Sequence, residues 1–242
     1  MQDYHIHSYF SGDSESRIED IIARARDMNI EYFIITDHVD DMQTPFALKD
    51  TCKDRTVCRQ TMREFGLPTG IEYSWDGVTE RTTDLNDFDF AILSYHDEFD
   101  IVDGKINYEK YLRELYEIAS RIEGYNVLGH LDLPRRYDPS NRKFDRELYP
   151  ELERLFELLK ENGKGIEVNM SAIDMYGDPN PDWDIVKFYH DCGGEIITVG
   201  SDAHVARNVG KYISEGLERL KAIGFRYLDV FDKGKWVKKQ IP

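Results

Sequence analysis

Short apolar runs alternate with longer segments whose apolar residues recur every three or four positions, and this alternation continues along nearly the whole chain. The runs DYHIH, EYFIIT, LPTGIEYS, FDFAILSYH, YNVLGH, KGIEVNM and GEIITVGSDAH read as buried strands, with FRYLDVF as a last apolar run. The longer segments read as helices. In the first, over about residues 16–28, Ile18, Ile21, Ile22, Ala25 and Met28 share one face, and Ser14 or Ser16 is the expected N-cap. Further helices are expected near 108–122, 150–162 and 209–222, in PDWDIVKFYHDC, and in part of TCKDRTVCRQTMREF. Polar loops hold the turn Trp75-Asp76-Gly77 and the stretch LPRRYDPSNRKFD. About seven or eight strands in βα order, with no Ser- or Gly-rich linker, predict one α/β domain over residues 1–242. A closed or nearly closed barrel is preferred to a doubly wound open sheet, because so many polar residues stand at strand ends.

Composition narrows the class. With 40% apolar and 12% aromatic residues, 242 residues suffice for a large core. No stretch approaches the roughly 20 apolar residues of a membrane span, and MQDYHIH lacks a basic segment followed by an apolar run. A cytoplasmic protein without a membrane partner is expected. The net charge of −16 argues against a nucleic-acid partner, which needs a basic stripe. A small phosphorylated substrate stays compatible with that charge if cations invert the local potential. Cys52, Cys58 and Cys192 match no usual zinc spacing and read as reduced thiols.

The candidate chemistry lies in the histidines. Six of the seven, His5, His7, His38, His96, His130 and His204, sit where an expected strand ends, most with a carboxylate within two residues. Strand ends of a parallel sheet meet at one face, so these side chains should converge into a site for Zn, Fe or Mn. His190 falls late in a helix and receives no role. His5 and His7 form an H-x-H pair whose side chains share one strand face, and Asp202 with His204 repeats that spacing. Glu72 offers a carboxylate able to bridge two cations, and Asp13 can fold back from its loop. Asp37 and Asp132 each have two open readings, orienting an imidazole or capping a loop. Asp40 and Asp41 read as solvated charges.

The ordered motifs HIHSYFSGDS, ITDH, GIEYS, SYH, GHLDLPRR and GSDAH resemble those of the PHP (polymerase and histidinol phosphatase) superfamily, over about residues 3–210. The resemblance is strongest to histidinol-phosphatases. It implies a distorted TIM-like (β/α)7 barrel with three divalent metal ions. Carried over by position, His5, His7, Glu72 and Asp202 would hold the first metal. Glu72 would bridge to a second held by His96 and His130, and Asp13, His38 and His204 would hold the third. Arg135 matches a family arginine that contacts substrate phosphate, with Arg136 as its alternative. Planar guanidinium suits bidentate phosphate binding. Arg207 is another phosphate candidate, and Asn169, ending GIEVN, a candidate for a polar group of the substrate.

The implied activity is hydrolysis of a phosphate monoester, L-histidinol phosphate, by a metal-activated hydroxide in histidine biosynthesis, with Glu72, Asp202 and His204 at the reacting centre. Rival readings are a PHP-type nuclease or nucleotide phosphoesterase, a metal-binding domain without turnover, and an amidohydrolase. The acidic composition counts against the nuclease. The complete ligand set counts against a degenerate domain, and Glu72 stands where an amidohydrolase usually has lysine.

Overall fold

The computed structural model describes residues 1–96, 99–102, 104–138, 140 and 142–242. Its strands are β1 (Gln2–Asp3), β2 (Tyr32–Phe33), β3 (Thr36–Asp41), β4 (Gly70–Trp75), β5 (Phe90–Ser94), β6 (Ile101–Val102), β7 (Lys105–Ile106), β8 (Val127–Leu128), β9 (Gly165–Asn169), β10 (Ile197–Gly200), β11 (Tyr227–Asp232) and β12 (Lys235–Gln240). The helices are α1 (Ile18–Asp27), α2 (Pro45–Asp50), α3 (Arg55–Glu64), α4 (Tyr108–Arg121), α5 (Tyr149–Glu161), α6 (Ile173–Tyr176), α7 (Trp183–Asp191) and α8 (Ile213–Ile223).

Six strands form one all-parallel sheet in the order β10-β9-β8-β5-β4-β3. Every residue of β4, β5, β9 and β10 is buried, as expected where a parallel sheet is covered on both faces. The fold is therefore α/β with a parallel central sheet. β1 pairs in parallel with β2, and the chain after it bonds to both sheet edges. On one side Tyr4 N donates to Val199 O (3.0 Å) and His7 N to Ala203 O (3.0 Å). On the other, Ile34 N donates to Asp3 O (3.1 Å) and Thr36 N to Ile6 O (2.8 Å). The expected seven-strand barrel is not reproduced as one continuous ladder. Only Asp3 of DYHIH is regular strand, at the end of β1, because the following bonds are divided between two neighbours and Ser8 N turns aside to Asp37 Oδ1 (2.7 Å).

The helices follow the amphipathic pattern. α1 buries Ile18, Ile21 and Ala25, carries Glu19 and Asp20 in its first turn and ends with Arg24 and Arg26, each charge opposing the helix dipole. Its N-cap is Arg17, without a side-chain bond. The expected caps Ser14 and Ser16 instead donate to His204 O at 2.9 and 3.2 Å, tying the Asp13 loop to the last ligand loop. Asp54, Asn107 and Asp182 cap α3, α4 and α7 in the usual way. The last apolar run does not join the parallel sheet. It forms the antiparallel hairpin β11–β12 through the two-residue turn Lys233-Gly234, both at positive φ. In LPRRYDPSNRKFD, residues 133–136 form a 3-10 turn, and Pro139 and Asn141 lie outside the described residues. One contiguous cluster of buried apolar side chains runs from Tyr4 to Ile241.

Candidate metal centre

The ends of the parallel strands bring all the expected ligands together. His5 and His7 come from the segment after β1, His38 from β3, Glu72 from the middle of β4, and His96 from just past β5. His130 follows β8, Asp202 and His204 follow β10, and Asp13 reaches in from the loop before α1. His38 and Glu72 are register partners on adjacent strands. His130 (φ 22°) and Asp202 (φ 51°) hold backbone conformations unusual for residues with a side chain, and such strain clusters at working sites.

Glu72 is the hub. Its Oε2 lies 3.1 Å from His5 Nε2, 3.5 Å from His7 Nε2 and 3.1 Å from His38 Nδ1. Its Oε1 lies 3.1 Å from His96 Nε2 and 2.7 Å from His130 Nε2, and accepts a bond from Ser94 Oγ at 2.7 Å. The two carboxylate oxygens thus face two different groups of imidazoles. Asp202 Oδ1 approaches His7 Nε2 (3.3 Å) and His5 Nε2 (3.6 Å). Asp13 Oδ2 sits between His204 Nε2 (3.0 Å) and His38 Nε2 (3.4 Å).

This donor set fits divalent cations. Among the described residues, three triplets have ligand atoms all within 4.8 Å of one another: His5, His7 and Glu72; His38, Glu72 and His96; His7, His38 and His204. His5 Nε2, His7 Nε2 and His38 Nδ1 are buried without a hydrogen-bond partner among the described residues. Each such atom costs about 1–3 kcal/mol unless something satisfies it, and a cation would. Electrostatics point the same way. Burial opposes charge on Glu72 and Asp202, yet His5 and the other imidazoles hold both well below the carboxylate range. Burial likewise opposes charge on His96 and His204, but Glu72 lifts His96 to about 10, and Asp13 and Asp202 lift His204 to about 9. Burial and the neighbouring His204 and His38 push His7 down to about 3.

The ligand face opens into a cavity of roughly 510 Å³. Its floor is His38, Glu72, His96, His130, Asp202 and His204, and one wall is Phe99, Ile101, Ile106, Leu133 and Tyr137. A profile of the PHP domain matches residues 3–171.

The chain belongs to the PHP domain family.

Among relatives of this PHP protein is the "Probable histidinol-phosphatase" of Thermotoga maritima, 35% identical over 233 residues that cover 96% of this chain and 97% of the relative. The histidinol-phosphatase of Lactococcus lactis is 28% identical over 255 residues, with 95% and 93% covered. The crystal structure of the Lactococcus lactis histidinol phosphate phosphatase, complexed with zinc, L-histidinol and phosphate, has the same fold. It matches with a TM-score of 0.75 at 23% identity over 98% of both chains.

Within this PHP fold the candidate substrate residues stand differently toward the cavity. Arg135 is 1% exposed and turns away from the cavity, 3.3 Å from Asp132 Oδ2 and 3.9 Å from Asp182 Oδ2, with its guanidinium over the Tyr176 ring. Its neighbour Arg136 lines the cavity instead, 3.2 Å from Asp202 Oδ2. The 3-10 turn rotates consecutive residues to different sides, so only one of the pair can face the ligands. Asn169 is fully buried. It donates to Asp202 Oδ2 (3.1 Å) and accepts from Arg136 Nη2 (3.0 Å), which makes it a brace for those two residues. Arg207 is exposed in the turn 206–208 and lies off the cavity lining.

The acids left open or set aside find roles. Asp37 accepts from Ser8 N (2.7 Å) and Ser11 Oγ (2.8 Å), and Ser11 Oγ reaches His7 Nδ1 at 3.1 Å, so Asp37 both caps the loop and orients an imidazole. Asp132 serves the loops: it accepts from Asn180 Nδ2 (2.5 Å) and Asp182 N (3.1 Å). Asp40 and Asp41 are not solvated charges. Asp40 Oδ1 stands 3.3 Å from His96 Nδ1, and Asp41 is buried, accepting from Tyr73 Oη (3.0 Å) and Thr82 Oγ1 (2.6 Å). Glu167 did not stand out in the sequence. Its signal was two-residue spacing from Asn169 in GIEVN, which puts both on one face of β9. The three cysteines are free thiols. No helix among the described residues is long and apolar enough to cross a membrane.

Proposed function

We propose that this chain is a metal-dependent phosphomonoesterase that hydrolyses L-histidinol phosphate to L-histidinol and phosphate. The observation that carries this reading is Glu72, whose two oxygens face separate groups of buried imidazoles at the floor of a cavity sized for a small ligand. The names of the Thermotoga and Lactococcus relatives support the substrate. We assign His5, His7, Glu72 and Asp202 to one divalent ion, Glu72, His96 and His130 to a second, and Asp13, His38 and His204 to a third, with Zn, Fe or Mn as candidates. Such ions, when bound, supply Lewis-acid charge against phosphoryl oxygens and make water acidic enough to attack near neutral pH.

The chain's own residues do the rest. Arg136 commits Nε to Asn180 Oδ1 (2.8 Å), one Nη1 hydrogen to Asp202 and Nη2 to Asn169 and Ser171. Among the described residues no acceptor takes the other Nη1 hydrogen, which we assign to a phosphoryl oxygen in the cavity. Four braces fix that guanidinium before substrate arrives, so little side-chain entropy is lost on binding. Phe99, Ile101, Ile106, Leu133 and Tyr137 offer an apolar wall for the ring of the leaving alcohol. A cavity of about 510 Å³ in a chain of net charge −16 suits a small anion neutralised locally, not a polynucleotide. We read residues 1–242 as one domain working in the cytoplasm. The test is turnover of protein reconstituted with Zn, Mn or Fe on histidinol phosphate beside a panel of other phosphomonoesters and nucleotides. A clear kcat/KM preference for histidinol phosphate is expected, and equal or better turnover of a nucleotide overturns the substrate assignment.

A further inference from the structure

Glu167 sits in β9, 1% exposed, and touches two ligand residues from behind without lining the cavity. Its Oε1 lies 2.6 Å from His5 Nδ1, and its Oε2 accepts the backbone N–H of His130 at 3.1 Å. We propose that Glu167 is a positioning residue that fixes the His5 tautomer and the His130 backbone, so that one carboxylate aligns ligands of two different cations. The proposal rests on the metal assignment above.

A carboxylate only accepts, so a contact of 2.6 Å requires the proton on His5 Nδ1. The competing neighbour, Asn169 Nδ2, stands farther off at 3.4 Å and is itself a donor, so it cannot hold that protonated nitrogen. With Nδ1 committed, His5 Nε2 is left with its lone pair. That atom is buried without a hydrogen-bond partner among the described residues, 3.1 Å from Glu72 Oε2 and 3.6 Å from Asp202 Oδ1. The other oxygen acts on the backbone. His130 has φ 22°, a conformation its side chain disfavours, and the bond to Glu167 holds it where Nε2 meets Glu72 Oε1 at 2.7 Å. A third observation is independent of both bonds. A Cβ at Gly200 would come within 2.5 Å of Glu167 Oε1 and 2.4 Å of His5 Cβ, so the glycine before Ser201 and Asp202 clears the space in which acid and imidazole meet. Outer partners of this kind align ligands and raise their basicity, and losing one typically weakens metal binding about 10- to 100-fold.

The first measurement uses the unaltered protein: nitrogen-15 histidine spectra of the zinc-loaded chain, with His5 assigned. The proposal requires a proton on Nδ1 and zinc on Nε2, and the reverse assignment overturns it whether or not any variant folds. The second is zinc titration calorimetry on Glu167→Gln, which keeps the volume and one acceptor oxygen and so cannot serve both N–H groups. Zinc affinity at the ions held by His5 and His130 should fall about 10- to 100-fold. The ion at Asp13, His38 and His204 should keep its affinity, and a loss spread equally over all ions would mark a merely structural role and overturn the proposal. Wild-type protein that takes up no zinc removes the metal assignment and this proposal together. Wild-type uptake matched in full by Glu167→Gln removes this proposal alone.

Discussion

Two buried polar networks lie within a few residues of each other in this chain, and they are built on opposite principles. Around Arg135, the carboxylates of Asp132 and Asp182 meet a guanidinium, Lys143 Nζ approaches Asp182 Oδ2 at 3.6 Å, and Asn180 closes the remaining bond. Its charges come from the chain itself. Around Glu72, carboxylates and imidazoles crowd together and leave His5 Nε2, His7 Nε2 and His38 Nδ1 without a hydrogen-bond partner among the described residues. The first network is complete as folded, whereas the second has lone pairs and negative charge arranged for cations that the chain does not supply. Burial alone therefore does not distinguish structure from site. What distinguishes them is whether the donors and acceptors balance.

The contrast breaks first at Glu72. Glu72→Ala should remove the shared ligand of two ions, and losing several kcal/mol of charge stabilisation corresponds to a fall of about 10³-fold or more in kcat/KM. Elemental analysis after dialysis should show fewer ions per chain than in wild type. Wild-type metal content in the variant would remove Glu72 from the centre.

Arg135 should behave in the reverse way. Arg135→Met leaves Asp132 and Asp182 buried without their guanidinium, so denaturant unfolding should show a loss of about 3–5 kcal/mol. Metal content per folded chain should stay at the wild-type level. A stable variant that binds substrate poorly would restore Arg135 as a phosphate contact.

How much of this was legible in the sequence depended on whether the deciding fact was local. Strand-end histidines, the H-x-H pair and the alternation of strands with helices are local, and they located the centre. Glu72 and Glu167 occupy nearly identical strings, GIEYS and GIEVN. Only sheet order shows that β4 turns its acid to the cavity while β9 holds its acid behind His5 and His130. Arg135 and Arg136 are adjacent in sequence, and a short 3-10 turn decided which faces the cavity. Asp40 was hidden because its partner His96 is 56 residues away. β12 is not legible because three of the six residues in KWVKKQ are lysine and the segment pairs only once Lys233-Gly234 turns the chain.

Proton competition sharpens the comparison without a mutation. Burial opposes charge on His96 and His204, but the acids around them raise their pKa values to about 10 and about 9. Below those values the metal-free site holds protons there, and a ligating imidazole must give its proton up. Cation binding therefore releases protons, and affinity should strengthen as pH rises toward 9 and weaken as it falls. The slope is roughly tenfold per pH unit for each proton displaced. Zinc titrations at pH 6, 7 and 8 in buffers of different ionisation enthalpy would measure it, and a pH-independent affinity would contradict proton competition at these imidazoles.

The smallest effects separate the remaining arginines. Arg136 faces the cavity with one Nη1 hydrogen uncommitted among the described residues, so Arg136→Ala should lower kcat/KM for histidinol phosphate about 10- to 100-fold, the cost of one charged phosphate contact. Its four braces also anchor Asp202 and Asn169, so a slight loosening of metal is expected, well short of the Glu72 effect. Arg207 stands exposed in the turn 206–208, three residues past His204 yet outside the cavity, and Arg207→Ala should change neither kcat/KM nor stability by more than about 0.5 kcal/mol. Assaying the two variants side by side on one metal-loaded preparation gives the decisive ratio. If Arg207→Ala proves the more damaging, the phosphate enters from the β10 side, and Arg136 is not its contact.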